Sequence, residues 1–232
     1  DVYYQLPLQH MRVEGDGLKF TKILNLQPLD IHVLQNELLT QAISSSITYF
    51  NPIQTQLFWA FYHTDENIIL GAPTGTGKTL LAELAIFRSI AQTPKKKIIY
   101  IAPYKSILKE KLWDWVNRFK CLKLTIEELS GDSSPEFGKL LKADIILSTP
   151  EMWERVSRKW QSRSYLQCIS LIIIDEIHLL GYKRGSVIEM IVSRIKYMEM
   201  NLQERIRMIG LSTAMATGLD IAVWFGVRKE FI

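Results

Sequence analysis

The stretch Asn67–Leu81, NIILGAPTGTGKTLL, decides the fold of this chain. It begins with three apolar residues typical of a short buried strand and continues through a turn rich in glycine and threonine. From Lys78 onward it becomes a helix-forming run. A strand, a glycine-rich loop and a helix N-terminus in this order form a site for phosphate groups. The stretch therefore predicts a phosphate-binding loop.

The residue types in this loop suit a nucleotide. Glycines can adopt positive φ and let backbone N–H groups approach phosphate oxygens. The Lys78 ammonium can reach the β- and γ-phosphates, and the Thr79 hydroxyl can bind Mg²⁺. Ala72 departs from the pattern G-x-x-x-x-G-K-[ST] at its first position, and a glycine turn without a ligand is the alternative. The predicted nucleotide-binding residues are Thr74, Gly75, Thr76, Gly77, Lys78, Thr79 and Leu80.

The composition is that of an ordinary globular protein. The 232 residues can bury a full core, and 47% of them are hydrophobic and 22% charged. A net charge of +4 permits nucleic acid as a partner without requiring it. Cys121 and Cys168 lack metal-ligand spacing, which favours reduced thiols in the nucleus or cytoplasm. No apolar run is long enough to span a membrane, and the first residues do not resemble a signal peptide.

Apolar strands and amphipathic helices alternate along the chain. This pattern predicts an α/β fold with a mostly parallel sheet and helices on both faces. A leading helix is predicted over residues 31–46, after Asp30 as N-cap. Ligands of such sheets gather at the carboxyl ends of the strands. We therefore expect the polar strings that follow the strands to form one site.

A second polar string, Asp175-Glu176, follows the apolar strand at 169–174. Asp175 is placed to hold Mg²⁺, directly or through water, and Glu176 to orient and deprotonate a water that attacks the γ-phosphate. A solvated loop after a buried strand is the alternative interpretation. The phosphate-binding loop earlier in the chain favours the functional one.

Four strings together resemble the first RecA-like lobe of a superfamily 2 helicase: FNPIQ at 50–54, APTGTGKT at 72–79, DEIH at 175–178 and STA at 212–214. The finer match is to the branch that holds the Ski-like and Brr-like helicases, in which TPE and DEIHLLG also occur in this order. Within that branch the sequence is most similar to the C-terminal cassette of the large helicase subunits of activating signal cointegrator complexes.

The resemblance implies a role for each matching residue. It implies that Gln54, helped by Phe50, reads adenine, and that Ser212 and Thr213 link the ATP site to the nucleic-acid site. The catalytic set that it implies is Lys78, Asp175, Glu176 and His178, with Thr79 and Asp175 on the metal. Residues implied to grip one strand by its phosphates, without reading its sequence, are Pro103, Lys105, Thr149, Pro150 and Glu151. Tyr104 and Ser106-Ile107 depart from the family pattern, which weakens this last inference.

The expected function is that of an ATP-dependent helicase or translocase that requires ATP and Mg²⁺ and acts on single-stranded nucleic acid. RNA is the favoured substrate, and DNA is the alternative. A regulatory cassette that binds nucleotide and serves mainly in protein interaction is the alternative. An unrelated GTPase lacks support because no guanine-reading N-K-x-D string occurs.

The domain prediction has two parts, an N-terminal extension with the leading helix at 1–46 and the ATP-binding lobe at 47–232. The string Q-x-x-G-R-x-G-R of a second lobe is missing, so we interpret the chain as a piece of a longer protein. Expected partners are the second lobe, a neighbouring cassette and a multiprotein complex, with no membrane involved. The expected location is the nucleus, the cytoplasm or both.

Overall fold

Six parallel strands form one sheet in the computed structural model, which describes residues 26–44, 47–129, 134–180, 185–213 and 218–228. The order across the sheet is β1-β6-β5-β2-β4-β3, and each paired strand runs parallel to its neighbour. The strands are β1 (Ile68–Gly71), β2 (Lys97–Ile101), β3 (Ile126–Glu128), β4 (Ile145–Ser148), β5 (Ile169–Ile174) and β6 (Arg207–Ser212).

Helices connect the strands and cover both faces of the sheet. The α-helices are α1 (Glu37–Ser44), α2 (Pro52–His63), α3 (Lys78–Gln92), α4 (Lys105–Arg118), α5 (Ser134–Lys142), α6 (Pro150–Ser157), α7 (Gly185–Leu202) and α8 (Gly218–Phe225). Short 3-10 turns lie at Ile31–Leu34, Phe119–Leu122, Trp160–Ser162, Ser164–Leu166 and Ile177–Leu180.

Alternate residues of each central strand belong to two separate hydrophobic cores. In β2, Ile98 and Tyr100 pack with α1 to α4, whereas Ile99 and Ile101 pack with the core that contains residues of α6, α7 and α8. Successive side chains of a strand point to opposite faces, so a strand covered on both faces is apolar throughout. The predicted α/β class with a parallel sheet and helices on both faces is confirmed.

The helix predicted over residues 31–46 is instead two shorter elements. Asp30 caps the first, since its side chain accepts from the His32 N–H, but the 3-10 turn ends at Gln35, whose φ is 50°. Asn36 then caps α1, because its side-chain oxygen accepts from the N–H groups of Leu38 and Leu39. The single-helix prediction was wrong because Asn36 competes for backbone donors in the middle of the apolar stripe.

The strand order divides the polar segments at the carboxyl edge into two groups. The segments that follow β1, β6 and β5 are neighbours, and those that follow β2 and β4 lie beyond β5. The phosphate-loop string and the DEIH string therefore share one side of the edge, and the PYK and TPE strings share the other. Among the described residues, no helix combines the length and apolar character needed to cross a bilayer.

Gly210 of β6 allows the DEIH segment to pack against the sheet. A Cβ at this position would lie 2.5 Å from Cδ1 of Ile177 and 2.9 Å from Cδ1 of Ile69. Ile177 stands between Glu176 and His178, so its close packing helps to hold both polar residues at the edge of the sheet.

Gly210→Ala is expected to lower the free energy of unfolding by about 1–2 kcal/mol, because both isoleucine side chains must turn to admit the new methyl group. Urea denaturation of the 232-residue chain measures this effect. Gly138→Ala in α5 is the matched control, since a Cβ there meets nothing within 4 Å. The control should be neutral or stabilising by up to about 1 kcal/mol, and equal stability of the Gly210 variant and wild type would contradict the packing argument.

Candidate active site

The loop between β1 and α3 has the backbone conformation that an anion site requires. Gly75 and Gly77 have φ values of 80° and 77°, which side chains other than glycine rarely allow. Gly77 is the N-cap of α3 and offers no side chain to the first turn. The backbone N–H groups of that turn have no intrahelical acceptors, and together with the positive end of the helix they favour a phosphate.

Lys78 holds the loop together from inside. Its Nζ donates to the carbonyl oxygens of Ala72 at 2.8 Å and Pro73 at 3.1 Å, and the residue is 9% exposed. The Thr76 hydroxyl donates to the same Pro73 oxygen at 2.7 Å. Thr74 is exposed, whereas the side chain of Leu80 lies in the core, so Leu80 offers only its backbone to a nucleotide.

The α2 N-terminus contacts the phosphate loop directly. Asn51 and Gln54 form a capping box, in which each side-chain oxygen accepts from the other residue's N–H at 2.9 Å. Their amide nitrogens donate across to the loop, Asn51 to the Thr76 carbonyl at 3.0 Å and Gln54 to the Gly77 carbonyl at 3.3 Å. Asn51 was not among the site residues predicted from the sequence, although the string N-P-x-Q carries the capping-box pattern.

Phe50 is placed differently from what the resemblance implies. Its ring is completely buried and its centroid lies 5.3 Å from that of Phe58 in α2. This burial gives Phe50 a supporting role behind the capping box. Direct contact between Phe50 and adenine stays a prediction that the burial does not favour.

Asp175 follows β5 and is held at both carboxylate oxygens. Oδ1 accepts from the N–H of Glu176 at 2.9 Å, and Oδ2 accepts from the buried hydroxyl of Tyr100 in β2. Burial, followed by the charge of Asp175, raises the pKa of Tyr100 well above its ordinary value, so the phenol keeps its proton. Tyr100 was not predicted as a site residue because it lies in the apolar run KIIYIA, which is typical of a buried strand.

Two oxygens suited to a hard cation lie at this edge. Asp175 offers a carboxylate, and the Thr79 hydroxyl lies in the first turn of α3, where it accepts from Lys111 Nζ at 3.0 Å. Among the described residues, no three His, Cys, Asp or Glu side chains cluster as a metal site. Mg²⁺ typically takes one or two protein oxygens and completes its shell with water and substrate phosphates, so this donor set fits it.

Glu176 has a strained backbone and an unpaired carboxylate oxygen. Its φ of 53° lies in the left-handed region, which L-residues seldom adopt outside functional or turn positions. Its Oε2 is buried and has no hydrogen-bond partner among the described residues. His178 Nδ1 is 3.4 Å from that oxygen.

The His178 ring nitrogen Nδ1 is already an acceptor. The Thr213 N–H donates to it at 3.2 Å, and the Ser212 hydroxyl lies 3.3 Å from it. From these contacts we assign Nδ1 as the acceptor and place the ring proton on Nε2, so Nδ1 has no proton for Glu176. On the other side, the Ala72 N–H donates to the Ser212 carbonyl at 3.1 Å. Ser212 and Thr213 thus contact both the phosphate loop and the DEIH segment.

The residues predicted to grip nucleic acid lie on the other side of β5. Lys105 is exposed in the first turn of α4, and Pro103 is buried just before it. Thr149 caps α6 by accepting from the Met152 N–H at 3.4 Å, Pro150 takes the first helical position and Glu151 is exposed. Helix initiation accounts for Thr149-Pro150 locally, and contact with nucleic acid stays a prediction.

Gly77→Ala and Gly75→Ala form a matched pair because both glycines have nearly the same positive φ. The left-handed backbone should cost each variant about 1–2 kcal/mol of stability. A Cβ at Gly77 would also collide with Nε2 of Gln54, whereas a Cβ at Gly75 meets nothing within 4 Å. Gly77→Ala should therefore lose about 1 kcal/mol more, by disturbing the capping box. Equal urea midpoints of the two variants would contradict the Gln54 contact.

Comparisons with known proteins agree with this geometry. Residues 51–221, more than half of the chain, match the DEAD/DEAH box helicase family. Activating signal cointegrator 1 complex subunit 3 is 46% identical in Danio rerio and 45% in Homo sapiens, each over 95% of this chain. The RQC trigger complex helicase SLH1 of Saccharomyces cerevisiae is 44% identical over 98% of it. The chain spans only 14%, 10% and 12% of the lengths of these relatives.

Solved structures share the fold at lower identity. The crystal structure of the DUF1998 helicase MrfA bound to DNA and AMPPNP matches with a TM-score of 0.72 and 20% identity, over 83% of this chain and 28% of that one. The structure of MrfA alone matches with a TM-score of 0.71 and 23% identity. The RecA-like fold and the resemblance to a Ski-like first helicase lobe are confirmed, and the chain belongs to the DEAD/DEAH box helicase family.

Proposed function

We propose that residues 47–232 are the ATP-binding lobe of a motor that couples Mg-ATP hydrolysis to movement along single-stranded nucleic acid. RNA is the favoured substrate, and DNA is the alternative. The observation that carries the proposal is the carboxylate of Glu176. It follows Asp175, the proposed metal ligand, is held by a strained backbone and has one buried oxygen without a partner among the described residues. A carboxylate of this kind is suited to orient and deprotonate a water molecule.

The groups around Glu176 divide the remaining work. The backbone of the phosphate loop and the Lys78 ammonium would bind the β- and γ-phosphates. Gln54 would face the base through the remaining amide proton and oxygen lone pair, since it is 4% exposed and its amide already bonds to Asn51 and Gly77. Thr79 and Asp175 would hold Mg²⁺, which when bound neutralises charge that develops on the phosphates. Glu176 would take the proton of the attacking water. His178 accepts from Thr213 and thereby keeps its own proton on Nε2, directed away from the Glu176 contact.

Coupling to nucleic acid would run through the segment after β6. Ser212 contacts Ala72 of the phosphate loop, and Thr213 contacts His178. The exposed Lys105 lies beyond β5, beside the TPE segment, because β2 pairs with β4. We infer that the Lys105 segment and the TPE segment hold a nucleic-acid strand by its phosphates without reading its bases.

The relatives indicate where such a motor would act. One relative is named as a subunit of the activating signal cointegrator 1 complex, and another as the helicase of the RQC trigger complex. The structure of MrfA was solved with bound DNA. We propose the same setting here, with a second helicase lobe, a neighbouring cassette and a multiprotein complex as partners, in the nucleus, the cytoplasm or both. Residues 1–46 would be an extension to the lobe, with α1 packed into the same core as β2. The competing function is that of a regulatory cassette that binds nucleotide and acts mainly in protein interaction. The rate of ATP turnover distinguishes the motor from such a cassette.

Glu176→Gln in the full-length protein is expected to keep ATP binding and to lower the turnover of this cassette by at least about 10²-fold, because the metal ligand stays while the base is lost. Steady-state ATPase and nucleotide binding are measured with any other ATPase site of the chain silenced. Glu189→Gln removes the same charge from an exposed position of α7 and should change neither quantity. Undiminished turnover in the Glu176 variant would exclude its role as base.

The 232-residue chain alone is expected to bind ATP or ADP weakly and to hydrolyse ATP near background, with or without single-stranded RNA. We expect a second lobe to supply arginines to the γ-phosphate, and arginines of this kind can be worth about 10³–10⁵ in turnover. Steady-state ATPase of the chain beside that of the full-length protein tests this. Strong RNA-stimulated turnover by the chain alone would contradict the need for a second lobe.

A further inference from the structure

We propose that Tyr100 is a positioning residue that orients the Asp175 carboxylate and thereby sets the affinity of the site for Mg²⁺. The inference rests on the proposed function, since it concerns the metal ligand of the same site. The observation behind it is the hydrogen bond from the Tyr100 hydroxyl to Oδ2 of Asp175, which joins two neighbouring strands inside the core.

The register of the sheet brings the two groups together. Tyr100 of β2 lies opposite Ile173 of β5. Asp175 comes two residues after Ile173, directly beyond the end of β5. Residues two apart share a face of a sheet, so Tyr100, Ile173 and Asp175 point the same way. The Asp175 N–H also donates to the Ile101 carbonyl at 2.8 Å, which extends the strand pairing as far as the carboxylate.

A hydroxyl at this position is unexpected on packing grounds alone. Its neighbours in β2 are isoleucines, and Tyr100 is completely buried with them. Burying a hydroxyl costs free energy unless it is hydrogen-bonded, and an apolar ring would fill the same space without that cost. The bond to Asp175 is therefore the feature that distinguishes tyrosine from phenylalanine here.

The hydrogen bond completes the orientation of the carboxylate. Oδ1 accepts from the Glu176 N–H and Oδ2 from Tyr100, so each oxygen is held by one donor. Each carboxylate oxygen has two lone pairs, and one on each oxygen stays available for a cation or its water. Asp175 is only 7% exposed, so without the hydroxyl, Oδ2 would have little access to solvent. The ionised, oriented carboxylate would then be less stable.

The Tyr100 ring packs against α4, which is bonded in turn to α3, the helix that starts at the phosphate loop. The Tyr100 ring packs edge-on against Trp115, with centroids 5.1 Å apart. The Trp115 indole donates to the buried Glu83 carboxylate of α3 at 2.8 Å, and Arg118 pairs with the same carboxylate. These contacts connect the Asp175 ligand to α3 through side chains that are buried or partly buried.

Tyr100→Phe in the full-length protein tests the proposal, with any other nucleotide site silenced. Binding of a fluorescent ADP analogue is measured in EDTA and across a Mg²⁺ titration. The affinity in EDTA should stay within about twofold, and the Mg²⁺ midpoint should rise about tenfold, as expected for the loss of one hydrogen bond to a charged group. A midpoint equal to that of wild type would overturn the proposal.

Two further measurements separate positioning from general destabilisation. Tyr62→Phe removes a hydroxyl that donates to the Leu34 carbonyl at 3.4 Å, and it should leave the Mg²⁺ midpoint unchanged. Equal weakening of ADP binding in EDTA and in Mg²⁺ by Tyr100→Phe would indicate a structural role and overturn the proposal. Wild-type binding that does not respond to Mg²⁺ would overturn the proposed function itself.

A second variant covers the case in which Tyr100→Phe does not fold. Incorporation of 3,5-difluorotyrosine at position 100 keeps the ring and the hydroxyl but makes the hydroxyl a stronger acid and therefore a stronger donor. A fall of at least about twofold in the Mg²⁺ midpoint would support the contact with Asp175, and a rise would count against it. An unchanged midpoint in a folded protein would overturn it.

Discussion

The parallel pairing of β6 between β1 and β5 is the constraint on which the site depends. Gly71 lies opposite Ser212, and Ile174 lies opposite Gly210, so the three strands end at one edge. Neighbouring strands are about 4.8 Å apart, which places the phosphate loop and the DEIH segment about 10 Å from each other. A pair of phosphates and one cation fit across such a gap. Because β5 and β6 are buried on both faces and β1 is paired along its length with β6, this spacing cannot change without disturbing the core.

Buried polar contacts hold the helices at fixed positions relative to this edge. Glu83 of α3 is 1% exposed and is paired with Arg118 of α4, which also donates to the Ala42 carbonyl of α1 at 3.1 Å. Removal of either side chain would leave a buried charge without its partner. The loss of stability would be far larger than the net stabilisation that the intact pair contributes. Two helices on one face of the sheet, α1 and α4, are thereby tied to α3, the helix that starts at the phosphate loop.

The sequence predicted the parts of the site that local patterns encode. The phosphate loop, the strand that delivers Asp175 and the α/β class depend on residues close together in the chain. Tyr100 and Lys111 were missed because their partners, Asp175 and Thr79, lie 75 and 32 residues away. Such contacts depend on strand order and register, which periodicity does not specify. The predicted leading helix failed for a local reason, the capping preference of Asn36, and Phe50 proved to be buried by tertiary packing.

The contacts of Ala72 and His178 with the segment after β6 have a mechanical consequence. The Ser212 carbonyl and the Thr213 N–H belong to the same peptide group, which is planar and rigid, with its oxygen and hydrogen on opposite sides. One amide plane therefore joins the phosphate loop to the histidine, and a tilt of that plane weakens both hydrogen bonds together. Hydrogen bonds in such a chain also polarise one another. A small shift of the phosphate loop would therefore reach His178 through this plane, without a change of any side-chain rotamer.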